Sequence, residues 1–307
     1  MDENKKEIET TEKPGLKSAA IDAARGAAIG AAAIIPGFSG GSVAAILGIY
    51  EKFVSAVSGI FTSFKKSALT LLPILIGMAI GAVALLYPIE ASLGAFPLPT
   101  VSLFVGLAIG GLPNITERLK GKITLANLTA LLIPFAAALV LMFLPLSSEV
   151  DLSALDFGGF VLLFLVGILA SSAMVIPGIS GSMLLLIIGY YNPVIDLLAN
   201  KLLKGVQLGS TVVSLLVFAL GIAAGFVGIS AFMKLMLKRY NRGTYFAILG
   251  FITGSIPAIY ASVIKDADID VSVALKDPWT VVASLLLLAV GIALSLLMIK
   301  MAKRSAK

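Results

Sequence analysis

Apolar runs of membrane-spanning length recur along the chain, separated by short polar stretches. A bilayer's hydrocarbon core is about 30 Å thick, and an α-helix needs about 20 residues to cross it. The stretches of about Ser67–Tyr87, Thr124–Leu144, Ser210–Met233, Thr244–Val263 and Trp279–Ile299 have that length; Thr100–Ile115, bounded by prolines, is shorter. Two places break the pattern. A helix predicted over Leu16–Ile35 is followed by a second over Ser39–Tyr50, which spans only about 18 Å. A helix over Phe157–Ile176, itself of spanning length, is followed by one over Ser180–Tyr191. Each pair reads as a hairpin that enters the membrane and returns to the side it came from.

The breaks carry one motif in two copies. The first is Pro36-Gly37-Phe38-Ser39-Gly40-Gly41-Ser42 and the second Pro177-Gly178-Ile179-Ser180-Gly181-Ser182. Each runs into an apolar segment ending in Gly-x-Tyr, at Gly48 and Tyr50 and again at Gly189 and Tyr191, with no gap needed. Proline lacks an N–H and glycine admits unusual backbone angles, so Pro-Gly ends a helix; the following serine suits an N-cap for the next. The repeat extends further at a second constant offset. Gly77 and Gly81 match Gly221 and Gly225; Gly106, Gly110 and Pro113 match Gly250, Gly254 and Pro257. Glycines at that spacing are most simply sites of close helix packing.

Composition and charge sharpen the picture. The chain is 59% hydrophobic and 13% charged, outside the range of soluble domains. There is no cysteine and no histidine, which removes thiol chemistry and the side chain most used for zinc binding and near-neutral proton transfer. If each hairpin returns to its own side and each half crosses three times, all but four of the 23 lysines and arginines fall on one side; the exceptions are Lys201, Lys204, Lys265 and Lys276. If each broken helix crosses once instead, the basic residues divide almost evenly. The positive-inside rule selects the first arrangement, with both termini cytoplasmic. Three crossings is an odd number, so the halves are expected to be inverted with respect to each other.

The expected fold is therefore all-α: a polytopic membrane protein with an inverted structural repeat, each half a re-entrant helix hairpin plus three transmembrane helices. Residues 1–15 read as a disordered cytoplasmic tail, 16–145 as the first repeat, 157–299 as the second and 300–307 as a basic tail.

In this arrangement the two hairpin tips could meet near the bilayer midplane. Each offers first-turn N–H groups, and Ser39, Ser42, Ser180 and Ser182 add hydroxyls. Gly40, Gly41 and Gly181 let a ligand approach the backbone. Such a site suits an anion, phosphate above all. Arg25, three residues from Asp22 and able to pair with it, is either a snorkelling partner of that acid or a phosphate ligand on the cytoplasmic approach. Glu51 reads as a solvated helix end or a proton-carrying group for coupled transport; Tyr50 and Tyr191 read as interfacial aromatics. No metal site and no cofactor are expected.

The paired motifs resemble a bacterial and archaeal membrane family of polyprenyl-phosphate transporters, long described as a domain of unknown function. The resemblance runs from about Gly26 to Ile299. It implies a flippase of the cell membrane that moves undecaprenyl phosphate, or a related polyprenyl phosphate, from the outer to the inner leaflet for reuse as a carrier in cell-wall assembly. The matching residues, and hence the expected substrate-binding set, are Pro36, Gly37, Ser39, Gly40, Gly41, Ser42, Pro177, Gly178, Ser180, Gly181 and Ser182; Arg25 and Glu51 are added by inference. Expected partners are the lipid substrate and the membrane, with no nucleic acid and a possible homo-oligomer. The chain also resembles the polyprenyl-diphosphate phosphatases, whose motif carries an arginine directly after the serine and an adjacent pair of glutamates. Gly40 and Gly181 stand in the arginine's place and no adjacent glutamates occur, so no enzymatic activity is expected. A transporter of a small soluble anion is the remaining alternative.

Overall fold

The computed structural model describes residues 16–34, 39–144, 150, 152, 155–178, 181–197, 201, 208–266, 269–274 and 276–305. Residues 1–15, Pro36, Gly37 and Ser180, and the side chain of Ser182, lie outside the described set. The described residues are all-α, with no strands.

In the first half α1 is Leu16–Ile34, α2 Gly40–Ile46, α3 Tyr50–Ser58, α4 Phe64–Ala95, α5 Pro97–Thr116 and α6 Leu125–Phe143; a short 3-10 turn, Glu117–Leu119, extends α5. In the second half α7 is Phe157–Val175, α8 Gly181–Ile187, α9 Tyr191–Asp196, α10 Leu208–Arg239 and α11 Asn241–Asp266. A single turn, α12, covers Val271–Ala274, and α13 is Pro278–Ser305. Among the described residues five stretches are long and apolar enough to cross a membrane: Phe64–Ala95, Pro97–Leu119, Leu208–Arg239, Asn241–Ala261 and Pro278–Lys300; α6 and α7 contribute shorter apolar stretches. Leucines and isoleucines at 72, 76 and 80 of α4, 216 and 220 of α10, and 285, 286 and 297 of α13 are exposed on the outside of the bundle. An apolar exterior of this extent needs lipid against it. The chain is a multi-pass membrane protein.

Several expected boundaries move; α4 and α10, for example, extend to Phe64–Ala95 and Leu208–Arg239. The helix read over Ser39–Tyr50 ends at Ile46, and Tyr50 opens a new one. The reason is Gly48, at φ +72°. Its N–H donates to the Ala45 carbonyl and that of Ile49 to Ala44; these reversed bonds close a helix end around a left-handed residue. Gly189, at φ +76°, does the same with Leu186, and Tyr190 with Leu185. The glycine of Gly-x-Tyr is thus a helix stop in both copies. At the other end of the chain, α13 continues past Ile299 to Ser305.

The glycines repeated in sequence are sites of backbone contact. A Cβ on Gly26 or Gly30 of α1 would overlap the carbonyls of Ile74 and Met78 of α4; on Gly77 or Gly81 it would overlap those of Ala23 and Ala27. Position rises together along both helices, so α1 and α4 run parallel. The second half repeats this with Gly167 of α7 against Phe218 of α10, and Gly221 and Gly225 against Phe164 and Ile168. The remaining pairs cross between halves. Gly106 and Gly110 of α5 meet Leu288 and Ile292 of α13, while Gly250 and Gly254 of α11 meet Leu131 and Phe135 of α6. Both are again parallel. Each half therefore lends its last long helix to the other, and the pattern maps onto itself when the halves are exchanged.

α5 and α11, the repeat counterparts, run antiparallel. The Ser102 and Tyr260 hydroxyls lie 2.9 Å apart near one end, and the Arg118 guanidinium sits 5.6 Å from the Tyr245 ring centroid near the other.

Candidate functional site

The chain leaves the first break and runs back along α1: Gly40 lies against Ile29, and further on Lys52 donates to the Asp22 carboxylate. After the second break the Gly189 carbonyl accepts the N–H of Val150, which precedes α7.

The two breaks meet. Ser39 occupies the N-cap position of α2, but its hydroxyl does not cap that helix. It donates at 3.5 Å to the carbonyl of Ile176, the residue before Pro177. The Tyr50 hydroxyl donates to the neighbouring carbonyl of Val175 at 3.0 Å. The end of α7 leaves carbonyls without helical partners, and the first motif supplies donors to two of them. Tyr50 is accordingly not an interfacial aromatic: it is 1% exposed, deep in a core that joins both halves. An apolar body with one hydroxyl suits a buried site that needs a single donor. Tyr191, its counterpart, is half-buried.

Ser39, Gly41 and Ser42 are buried, as are Pro177 and Gly178. Gly178 has φ +89°, and a Cβ there would lie 2.5 Å from the backbone carbon of Phe251 on α11. No other residue fits that turn without moving the break off α11. On the other side, Asn114 of α5 donates its side-chain amide to the Ile46 carbonyl at 2.9 Å, holding the end of α2. The repeat places Ala258 opposite Asn114, so this support belongs to the first break alone.

Arg25 and Glu51 lie beside the junction, not in it. Arg25 Nη1 is 3.6 Å from the buried Asp22 carboxylate, which Lys52 engages more closely. The Nε of Arg25 is buried and has no hydrogen-bond partner among the described residues. Glu51 is not simply a solvated helix end: it accepts from the Tyr245 hydroxyl at 2.7 Å and lies 3.7 Å from Arg118. Tyr245 is buried and belongs to the other half. Sequence reasoning missed Lys52, Tyr245 and Asn114. The first two are ordinary residues at a helix end, and only a fold that brings residues 22, 52 and 245 together gives them a role. No cluster of acidic residues among those described could hold a metal ion.

Comparison with known proteins then decides the family. A family model described as undecaprenyl phosphate translocase-like matches residues 29–274, which include both breaks; most of α1 and all of α13 lie outside the match. The chain belongs to the undecaprenyl phosphate translocase-like family. Among its curated relatives is a polyprenyl-phosphate transporter of Staphylococcus aureus, 31% identical over 246 residues that make up 78% of this chain and 86% of the relative. Another is a polyprenyl-phosphate transporter of Vibrio cholerae, 28% identical over 250 residues, covering 77% of this chain and 76% of the relative. No solved structure matches this translocase-like chain.

Proposed function

We propose that this protein carries a polyprenyl phosphate, undecaprenyl phosphate or a close analogue, from the outer to the inner leaflet, and that the phosphate is held where the two breaks meet. The carrying observation is the pair of bonds from Ser39 and Tyr50 to the carbonyls that end α7. Donors from one half already face the break of the other, so a single headgroup between them could touch both. Family membership and the transporter relatives favour the lipid substrate.

A phosphate monoester carries up to two negative charges at neutral pH. The first-turn N–H groups of Gly40 and Gly41, the hydroxyls of Ser39 and Ser42, and the corresponding backbone at Gly181 supply uncharged donors for it. Ser180 and Ser182 are assigned the same role by the repeat, with Pro36, Gly37, Pro177 and Gly178 shaping the turns. The helices behind the breaks have seven residues each. Their dipoles are weak, and direct hydrogen bonds carry the binding. Arg25, with its unspent Nε–H, takes the phosphate on the cytoplasmic approach. Holding charge through backbone and hydroxyl donors keeps the affinity modest, and a carrier must release what it binds.

The same reading makes each half a re-entrant hairpin plus three crossings, inverted with respect to the other, with both termini cytoplasmic. It is supported by the parallel run of α1 with α4 and of α7 with α10, and by the antiparallel run of α5 and α11. Cysteines introduced at Asp151 and Lys238 should then be labelled from opposite faces of the membrane; labelling from one face defeats the inverted arrangement.

Transport is tested in proteoliposomes loaded with labelled polyprenyl phosphate in one leaflet. Ser39→Ala removes one hydrogen bond to a charged group, worth about 1.5 kcal/mol at the lower end, and flux should fall about tenfold while the protein stays folded. Competition by inorganic phosphate would instead favour a small-anion carrier. Release of phosphate from a polyprenyl diphosphate would favour a phosphatase. Unchanged flux in Ser39→Ala removes Ser39 from the site.

A further inference from the structure

The first four residues of α3 each engage a different element. Tyr50 donates to Val175 at the end of α7. Glu51 accepts from Tyr245 of α11, with Arg118 beside it. Lys52 pairs with Asp22 of α1. Phe53 meets Phe226 of α10 edge-to-face, ring centroids 5.8 Å apart. Three of these four residues thus reach into the second half.

The repeat counterpart of this run is Tyr191–Val194, and it is anchored differently. Val194, with Tyr190 and Leu197, packs in a core cluster drawn wholly from the second half, around Leu163 and Phe218. The two hairpins are therefore not equivalent. The first is bolted across the boundary between halves; of the second, Tyr190, Val194 and Leu197 pack within their own half. A further bridge closes the same end, where Arg242 donates to the carbonyls of Leu119 and Lys122.

We infer that α3 is a gate that closes the transport path at the basic end of the bundle, and that this structure is the state with that gate shut. The inference rests on the transport reading above and adds which side is sealed and by what. Opening separates Tyr50 from Val175, Glu51 from Tyr245 and Phe53 from Phe226, while Lys52 keeps α3 on α1. Gate and site are adjacent through the backbone: Tyr50 holds the Val175 carbonyl, and Ser39 holds that of Ile176. A headgroup that draws Ser39 away loosens the end of α7 that Tyr50 grips. That differential contact is what a ligand needs in order to shift a two-state equilibrium.

The chain contains no cysteine, so single introduced thiols report cleanly. Val54, one turn beyond Tyr50, is fully buried, and so is Leu163 in the second half's cluster. In Val54→Cys protein, a membrane-impermeant maleimide applied from the basic side should react slowly. Adding Glu51→Gln or Tyr50→Phe should speed the reaction at least tenfold, while Leu163→Cys in the same backgrounds stays protected. Equal labelling of Val54→Cys with and without these changes overturns the gate, as does loss of protection at both positions, which means general unfolding. A second arm joins Glu51→Cys to Tyr245→Cys with a short bismaleimide, which should stop flux of labelled polyprenyl phosphate. Continued flux through the tethered protein also overturns the gate. If untethered protein carries no polyprenyl phosphate at all, the transport reading fails, and the labelling arm still decides whether α3 opens.

Discussion

Gly77→Leu is expected to leave almost no folded protein in the membrane, while Gly94→Ala and Gly228→Ala leave stability near its starting value. All three glycines lie in long helices, α4 or α10, and glycine inside a helix is normally worse than alanine by about 1 kcal/mol. What separates them is the neighbour. A Cβ on Gly77 would overlap the backbone carbonyl of Ala23, and its partners Gly26, Gly30 and Gly81 make the reciprocal contacts; nothing lies within 4 Å of a Cβ on Gly94 or Gly228. In lipid, apolar surface does not drive helices together as it does in water, so close backbone packing supplies much of the attraction. A side chain can rotate away from an intruding methyl; a carbonyl in the middle of a helix cannot. Relief requires α1 and α4 to separate along their contact, which loses more than the roughly 1–3 kcal/mol of an ordinary overpacked site. Folded yield and melting temperature in detergent provide the measurement. A Gly77→Leu protein that melts with the parent would mean that these helices are not held by backbone contact.

Gly178→Ala is expected to lower flux at least thirtyfold while most of the helical structure survives. Two effects add. The left-handed backbone costs a residue with a Cβ about 1–2 kcal/mol, and the Cβ would lie 2.5 Å from Phe251, an overlap of the kind that costs about 1–3 kcal/mol. Together they amount to at least about 2 kcal/mol, or roughly thirtyfold in the population of an intact junction. The turn yields first because it is short, whereas α11 is a long helix packed on α5 and α6. Once the turn moves off Phe251, the carbonyls of Val175 and Ile176 leave the hydroxyls of Tyr50 and Ser39. Flux in proteoliposomes, set beside helical content by circular dichroism, separates loss of the site from loss of the fold. Parental flux would show that transport does not need the second break held against α11.

The main helices and the existence of two breaks were legible because lipid imposes a simple rule on length and polarity, and because proline and glycine act locally. Gly77, Gly106, Gly221 and Gly250 could be read as packing sites, but not their partners. That α5 takes α13 while α6 takes α11 leaves no trace in hydrophobic periodicity, since nearly every face of these helices is apolar. Tyr50 was misread for a related reason. A tyrosine at the end of an apolar run resembles a membrane-surface anchor, and burial depends on the other half arriving over it. The recurrence of Gly-x-Tyr in both copies was the available signal, although it described a helix stop at Gly48 and Gly189 more than a role for Tyr191. Charge pairing was half visible. Asp22 and Arg25 lie three residues apart and do approach, but the closer partner, Lys52, comes from a hairpin that had first to fold back.

The exchange of helices between halves also bears on how the chain can be made. The glycine face of α5 has its partner in α13, so it waits until the ribosome has added some 160 further residues, on the order of ten seconds or more of synthesis at about 5–20 residues per second. Throughout that interval α5 sits in the membrane with its tightest contact surface unmatched. A nascent protein cut short before Pro278 thus lacks the partner for that surface, and neither half expressed alone contains the partners needed to complete its own packing.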